Sequence, residues 1–262
     1  MAAARVLPVC LRSSAAATRR RRMGGQNASP RDSRHPGLRY VWIIRHSSDL
    51  LYDSWMDYRR PVEALIPGVQ GRVLGVLART DTDLTMRAVA DLAGVSPQQA
   101  SVVIGRLVDL GVVERRDVPP ASLVRLAAGN LAAEAVISIS RLRDAAVGRL
   151  AELAASITPT PASLVVFGSF ARAQAGAESD IDVLAVRPAL RDAAEELAWT
   201  ASLGEWIDRA RYLLGSPVNH IEVDLQELPG LLSRKGSSVW KDAAREGLVI
   251  AGTGLVELAR AA

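Results

Sequence analysis

The chain has 262 residues, 49% hydrophobic and 23% charged, a globular mix long enough for two domains. No apolar run approaches the roughly eighteen residues that span a bilayer, and a single cysteine, Cys10, excludes an internal disulfide and any cysteine metal cluster. A reducing cytoplasm is the expected compartment. The pI near 9.7 misdescribes most of the chain. Residues 1–55 hold ten arginines and three aspartates, a balance of +7, so residues 56–262 carry −3 against a total of +4.

Residues 1–55 combine an alanine stretch, the run Arg19-Arg20-Arg21-Arg22 and a Gly/Asn/Ser/Pro-rich patch. Without a sustained hydrophobic period, residues 1–40 are expected to be disordered. An Arg-rich, acid-poor leader also fits a transit peptide, and the arginine run fits a nucleic-acid-binding arm. The favoured reading is that translation begins at Met56, where an orderly pattern sets in at once.

From Met56 to Asn130 the pattern is helical. Val69, Val73, Val76 and Leu77 share one face of a helix. A second helix runs from Leu84 to Ala93 with Thr85 as N-cap. After Gly94-Val95, Ser96 caps a third helix with Pro97 at its first position, ended by Gly111. Two short strands, Val112–Arg116 and Ser122–Leu126, flank Pro119-Pro120. This order, and the segment LTMRAVADLAGVSPQQASVVIGRLVDLGVVERR in particular, resembles a winged helix-turn-helix domain. The resemblance implies that the helix opened by Ser96 enters the major groove of double-stranded DNA. Gln98, Gln99, Ser101 and Arg106 would then face bases, and Arg115, Arg116 and Arg125 of the wing would touch phosphates. Such domains also serve as protein-interaction modules and often dimerise, so a homodimer is an open expectation.

Residues 131–158 read as a linking helix with Leu142, Ala146, Leu150 and Leu153 on one stripe, and Pro159–Pro161 opens a second domain over 159–262. There the apolar run Leu164–Phe167 leads into Gly168-Ser169-Phe170-Ala171-Arg172, then Ser179-Asp180-Ile181-Asp182, then Val183–Val186. The pattern is strand, glycine turn, short helix, loop, and a strand bearing carboxylates at alternate positions. Alternate strand residues share a face with Cα atoms about 6.5–7 Å apart. Two such aspartates can share divalent cations about 3.5–4 Å apart, as in-line phosphoryl chemistry requires. A helix over 189–213 and the strand Asn219–Leu225 follow. On that strand Ile221, Val223 and Leu225 alternate with His220, Glu222 and Asp224. Trp199, Trp206 and Trp240 sit at helical positions as core residues.

The Gly-Ser … Asp-x-Asp arrangement resembles the nucleotidyltransferases of the DNA polymerase beta superfamily, and the closing helix and strand resemble their minimal members. The implied architecture is an α/β (α+β) nucleotidyltransferase fold with a mixed sheet, preceded by a mainly helical winged helix-turn-helix domain. The implied activity is transfer of a nucleoside monophosphate from an NTP to a hydroxyl with two Mg²⁺ ions. Asp180 and Asp182 would hold metal, with Asp224 as third acid and Glu222 as fallback. Gly168, Ser169, Arg172 and Ser179 would hold the nucleotide. The family pattern often has glycine where this chain has Ala173. Acceptors in the superfamily include proteins, RNA and small molecules, and some members act in toxin–antitoxin pairs. The alternative is a DNA-binding regulator whose transferase fold senses nucleotide or is inactive.

Overall fold

The computed structural model describes residues 55–233 and 238–261; the expectations for residues 1–54 lie outside them. The first module comprises α1 (Pro61–Leu65), α2 (Val69–Ala78), β1 (Leu84–Thr85), α3 (Met86–Ala93), α4 (Pro97–Asp109), β2 (Val113–Val118), β3 (Ala121–Leu126) and α5 (Leu131–Ser140). The boundaries of α4 follow from local chemistry. The Ser96 side chain accepts from the Gln99 amide, while the Gln99 side chain accepts from the Ser96 amide, a reciprocal capping box. At the other end Gly111 takes φ +70°. The Val112 amide there reaches Leu107 O and the Gly111 amide reaches Val108 O, both at 2.9 Å, which satisfies two of the helix's last carbonyls.

The three strands pair antiparallel in the order β1-β3-β2, the wing. Val73, Leu77, Val89, Ile104, Leu107, Val124 and Val136 pack into one core. The stretch read as one linking helix is two helices, α5 and α6 (Leu142–Ala154), meeting at Arg141. The break divides their loyalties. Ala133 and Val136 of α5 belong to the core of the first module, whereas Ala146, Leu150 and Ala154 of α6 belong to that of the second.

The second module adds β4 (Ser163–Phe167), α7 (Gly168–Ala171), β5 (Ile181–Arg187), α8 (Ala193–Leu214), β6 (Val218–Asp224), α9 (Leu228–Ser233), α10 (Ser238–Glu246), β7 (Leu248–Gly252) and α11 (Leu255–Ala261). Its sheet has the order β6-β5-β4-β7. β4 runs antiparallel to β5 and β7, and β5 runs parallel to β6, so the sheet is mixed as anticipated. A buried sheet needs apolar residues on both faces, and β4 and β5 supply them as near-continuous apolar runs. One face packs Leu164, Val166, Ile181, Val183 and Ala185 against Leu150 of α6 and Trp199, Leu203 and Trp206 of α8. The other packs Val165, Phe167, Leu184, Val186 and Val223 against Leu228, Leu231, Trp240, Ala243 and Leu255. The three tryptophans are core residues.

Tyr58, which precedes α1, is buried in the second module rather than the first. Its hydroxyl donates to Leu214 O at 2.8 Å, and its ring meets Phe170 edge-on at 5.0 Å. The chain therefore enters through the second module's core, builds the first module, and returns along α6.

Candidate active site

The site forms where β4 ends, at the edge of the face covered by α9–α11. Phe167, the last residue of β4, is the register partner of Asp182 on β5, and Gly168 turns the chain at φ +73°. A Cβ at Gly168 would stand 2.6 Å from Asp182 Oδ2. Glycine is required here both by the left-handed backbone and by the carboxylate pressed against it. One helical turn, α7, then carries Ser169. Arg143 of α6 ties off that turn. Its Nε donates to Phe170 O at 2.8 Å and another guanidinium nitrogen to Ala171 O at 2.5 Å, with the group over the Phe170 ring, 5.7 Å from its centre.

The loop from Arg172 to Asp180 folds on itself. Gln174 N reaches Ser169 O at 2.7 Å, and Ser179 Oγ accepts from Gly176 N at 3.0 Å. Ser179, expected at the nucleotide, is thus engaged in closing its own loop. Ala173 sits at φ +58°, the one non-glycine residue in the left-handed region among those described. The position where glycine is the commoner choice is the position whose backbone favours it.

Asp180 and Asp182 come together as the spacing predicted. The Asp182 carboxyl is pushed up from the usual carboxylate range, first by burial and then by the charge of Asp180. The Asn219 amide and Arg172 partly offset both. A carboxyl held up by burial and by a neighbouring carboxylate is what a cation would relieve. Arg172 also forms an ion pair with Glu246 of α10, and the hydrogen bond from Arg172 is the main reason Glu246 titrates below the usual range. Its Nε donates to Gln174 Oε1 at 3.2 Å.

Asp224 is not part of this constellation. Parallel pairing sets Asp182 opposite Asn219 and Arg187 opposite Asp224. Asp224 therefore lies five residues further along the sheet, about 16 Å at the strand rise. It is also on the other face, where Arg187 pairs with it. Glu222, the fallback, shares that face and accepts from Trp199 Nε1 at 2.9 Å. His220 precedes both on the same face and is pushed down by burial and by Arg211. The alternation on β6 was read correctly, but the acids belong to the face of α8. The residue that meets the two aspartates is Asn219, whose Nδ2 donates to Asp180 Oδ2 at 2.9 Å. Sequence reasoning sought a carboxylate and passed over it; Arg143 and Glu246 carried no motif at all.

The donor set suits a hard divalent cation. Two partly buried carboxylates lie side by side, and Mg²⁺ commonly takes one or two carboxylates and fills its octahedron with water and phosphate oxygen. No third acidic or histidine ligand gathers with them among the described residues.

In the first module, α4 presents Gln98, Gln99, Ser101 and Arg106 to solvent. Gln99 is occupied by the capping box. The wing arginines are paired: Arg115 with Asp117, Arg116 with Asp83, and Arg125 with Glu114 and Asp83. Residues 61–130 hold seven arginines and seven carboxylates, so the module lacks the net positive charge that drives phosphate binding.

Residues 66–121 match the family model of the MarR family, and residues 147–229 match that of the nucleotidyltransferase domain. Among solved structures, a toxin–antitoxin crystallised with AMP-PNP is 19% identical, covering 44% of this chain and 82% of its own, with a TM-score of 0.29. A mutant of the toxin–antitoxin MntA-HpeT is 18% identical over 44% of this chain and 81% of its own, with a TM-score of 0.28. No curated protein matches the chain. No helix among the described residues is long and apolar enough to cross a membrane.

Proposed function

From a chain that joins a MarR-family winged helix to a nucleotidyltransferase domain, we propose a Mg²⁺-dependent enzyme that moves a nucleoside monophosphate from an NTP to a hydroxyl. The acceptor would be a protein, an RNA or a small molecule in the cytoplasm. The observation that carries this reading is the Asp180–Asp182 pair at the mouth of the Gly168 turn, with one carboxyl held up by burial and by its neighbour's charge.

The assignments follow from position. Gly168 leaves the backbone open to a phosphate, and Ser169 lies on the same turn. Arg172 supplies a planar cation that can grip phosphate oxygens in place of Glu246. Asp180 and Asp182 would hold the metal, which when bound neutralises charge building on the leaving phosphates. Asn219 and Arg143 act as positioning residues, Asn219 on Asp180 and Arg143 on the turn that presents Ser169. Ser179 keeps the loop closed. The sequence led to an expectation of two ions shared by Asp180 and Asp182 with Asp224 as third acid; Asp224, opposite Arg187 and paired with it, does not fill that third role.

The test is transfer of label from α-labelled NTPs by the full chain, with Asp180→Ala/Asp182→Ala as control. Total RNA, cell lysate and the chain itself serve as acceptors. Label transfer that disappears in the control is the expected result, and the labelled fraction names the acceptor class. Label on one co-purifying polypeptide would place the chain in a toxin–antitoxin pair. Equal labelling by the control would overturn the reading.

The second reading, DNA binding by the winged helix, draws on the solvent-facing Gln98, Ser101 and Arg106 of α4. With the wing arginines already paired, contacts would be few and the salt dependence shallow. Anisotropy of labelled duplex across a salt series tests this. Binding unaffected by Arg106→Ala would reject α4 as the reading helix.

A further inference from the structure

We propose that Asn219 confines this site to a single divalent cation, by standing where a third ligand would have to come from. The inference rests on the nucleotidyltransferase reading above and concerns the ion count rather than the activity. Three strands could supply ligands around the Gly168 turn. β4 ends in Phe167, and β5 supplies Asp182, with Asp180 just ahead of it. β6 meets Asp182 with Asn219.

Register partners on adjacent strands project to the same face, so Asn219 is the one β6 side chain opposite Asp182. It presents a neutral amide, and it presents it hydrogen first. Nδ2 donates to Asp180 Oδ2 at 2.9 Å. In this orientation the amide occupies a carboxylate oxygen that could otherwise ligate, and even turned to offer Oδ1 it would bring no negative charge to a second ion. The next acids along β6 are held from the other side of the sheet, Glu222 by Trp199 and Asp224 by Arg187.

Electrostatics then sets the count. Two dications about 3.5–4 Å apart repel strongly unless anionic oxygens lie between and around them. One carboxylate can bridge a pair of ions, but each ion needs further anionic ligands of its own. Two aspartates meet that need for one ion carried in with a triphosphate and leave a second without protein charge. A third carboxylate at position 219 would lie on the correct strand, at the correct level and on the correct face.

The experiment titrates Mn²⁺ into the full chain saturated with an NTP analogue whose α,β-bridge cannot be cleaved, and reads free and bound ion by electron paramagnetic resonance. The expected result is one bound Mn²⁺ per chain with an uncoupled spectrum. Asn219→Asp is expected to bind two, at least tenfold more tightly for the second, with the spectral signature of spin-coupled ions. Asn219→Ser removes the amide without adding charge and should stay at one, which separates charge from loss of the Asp180 hydrogen bond. Two coupled ions in the native chain, or a single ion in Asn219→Asp that folds and binds the analogue, would overturn the inference and leave the parent reading intact. If native chain and Asp182→Asn bind the analogue and Mn²⁺ equally, the parent reading fails and takes this one with it.

Discussion

Adding one methyl group at Gly168 should separate the site's chemistry from the fold's stability. Gly168→Ala and Gly215→Ala share a left-handed backbone, at φ +73° and +59°. At Gly215 a new Cβ would meet nothing within 4 Å, whereas at Gly168 it would stand 2.6 Å from Asp182 Oδ2. The backbone term is therefore common to both. An alanine in this region costs about 1–2 kcal/mol, offset in part by roughly 0.4–1 kcal/mol from a stiffer unfolded chain. A net loss of about 1 kcal/mol lowers Tm by about 2–4 °C for a chain of this size. Only Gly168→Ala also displaces a carboxylate. Ordinary contact begins at 3.4 Å, so Oδ2 must retreat by roughly 0.8 Å, and a displacement near 1 Å can cost about a hundredfold. Binding of Mg²⁺·NTP analogue, measured by calorimetry beside thermal melts, should weaken about ten- to a hundredfold in Gly168→Ala and stay unchanged in Gly215→Ala. Equal nucleotide binding by the two variants would refute the claim that Gly168 exists to make room for Asp182.

Three further outcomes follow from the same geometry. Asp224→Asn should leave Mg²⁺·nucleotide binding unchanged, while Asp182→Asn should abolish it; a loss in Asp224→Asn would return that residue to the site. Glu246→Gln releases Arg172 from its ion pair and should tighten NTP binding several-fold, with Arg172→Ala as the reverse; equal affinities would show that Glu246 does not compete with phosphate. Burial pushes the Tyr58 hydroxyl from 10.0 to about 12. The folded state then keeps a proton that the unfolded state gives up, so stability is full below pH 10 and falls as pH rises toward 12. Urea melts of Tyr58→Phe should lose that alkaline decline, and a decline of the same size in the variant would assign it to another group.

Local chemistry written in the sequence was enough for most of the elements, though not for the break at Arg141 or for β1, and for half of the site. Ser96-Pro97-Gln98-Gln99 specifies a helix start because the capping groups lie within one turn. The apolar runs of β4 and β5 specify a sheet buried on both faces. The two-residue spacing brings Asp180, just ahead of β5, beside Asp182 on it, where the Asn219 amide meets Asp180. Even the strain at Ala173 was visible as a missing glycine. Which face of β6 meets those aspartates was not local information. A strand's two faces are equivalent until pairing register and helix packing choose between them, and a shift of one residue exchanges every side chain. β5 and β6 pair with Asp182 opposite Asn219, and α8 covers the face that bears Glu222 and Asp224. The tertiary structure therefore gave the acids of β6 to Trp199 and Arg187, and gave the site an amide. The same holds for Arg143, Glu246 and Tyr58. Each is distant in sequence from what it touches, and only the folded chain could introduce them.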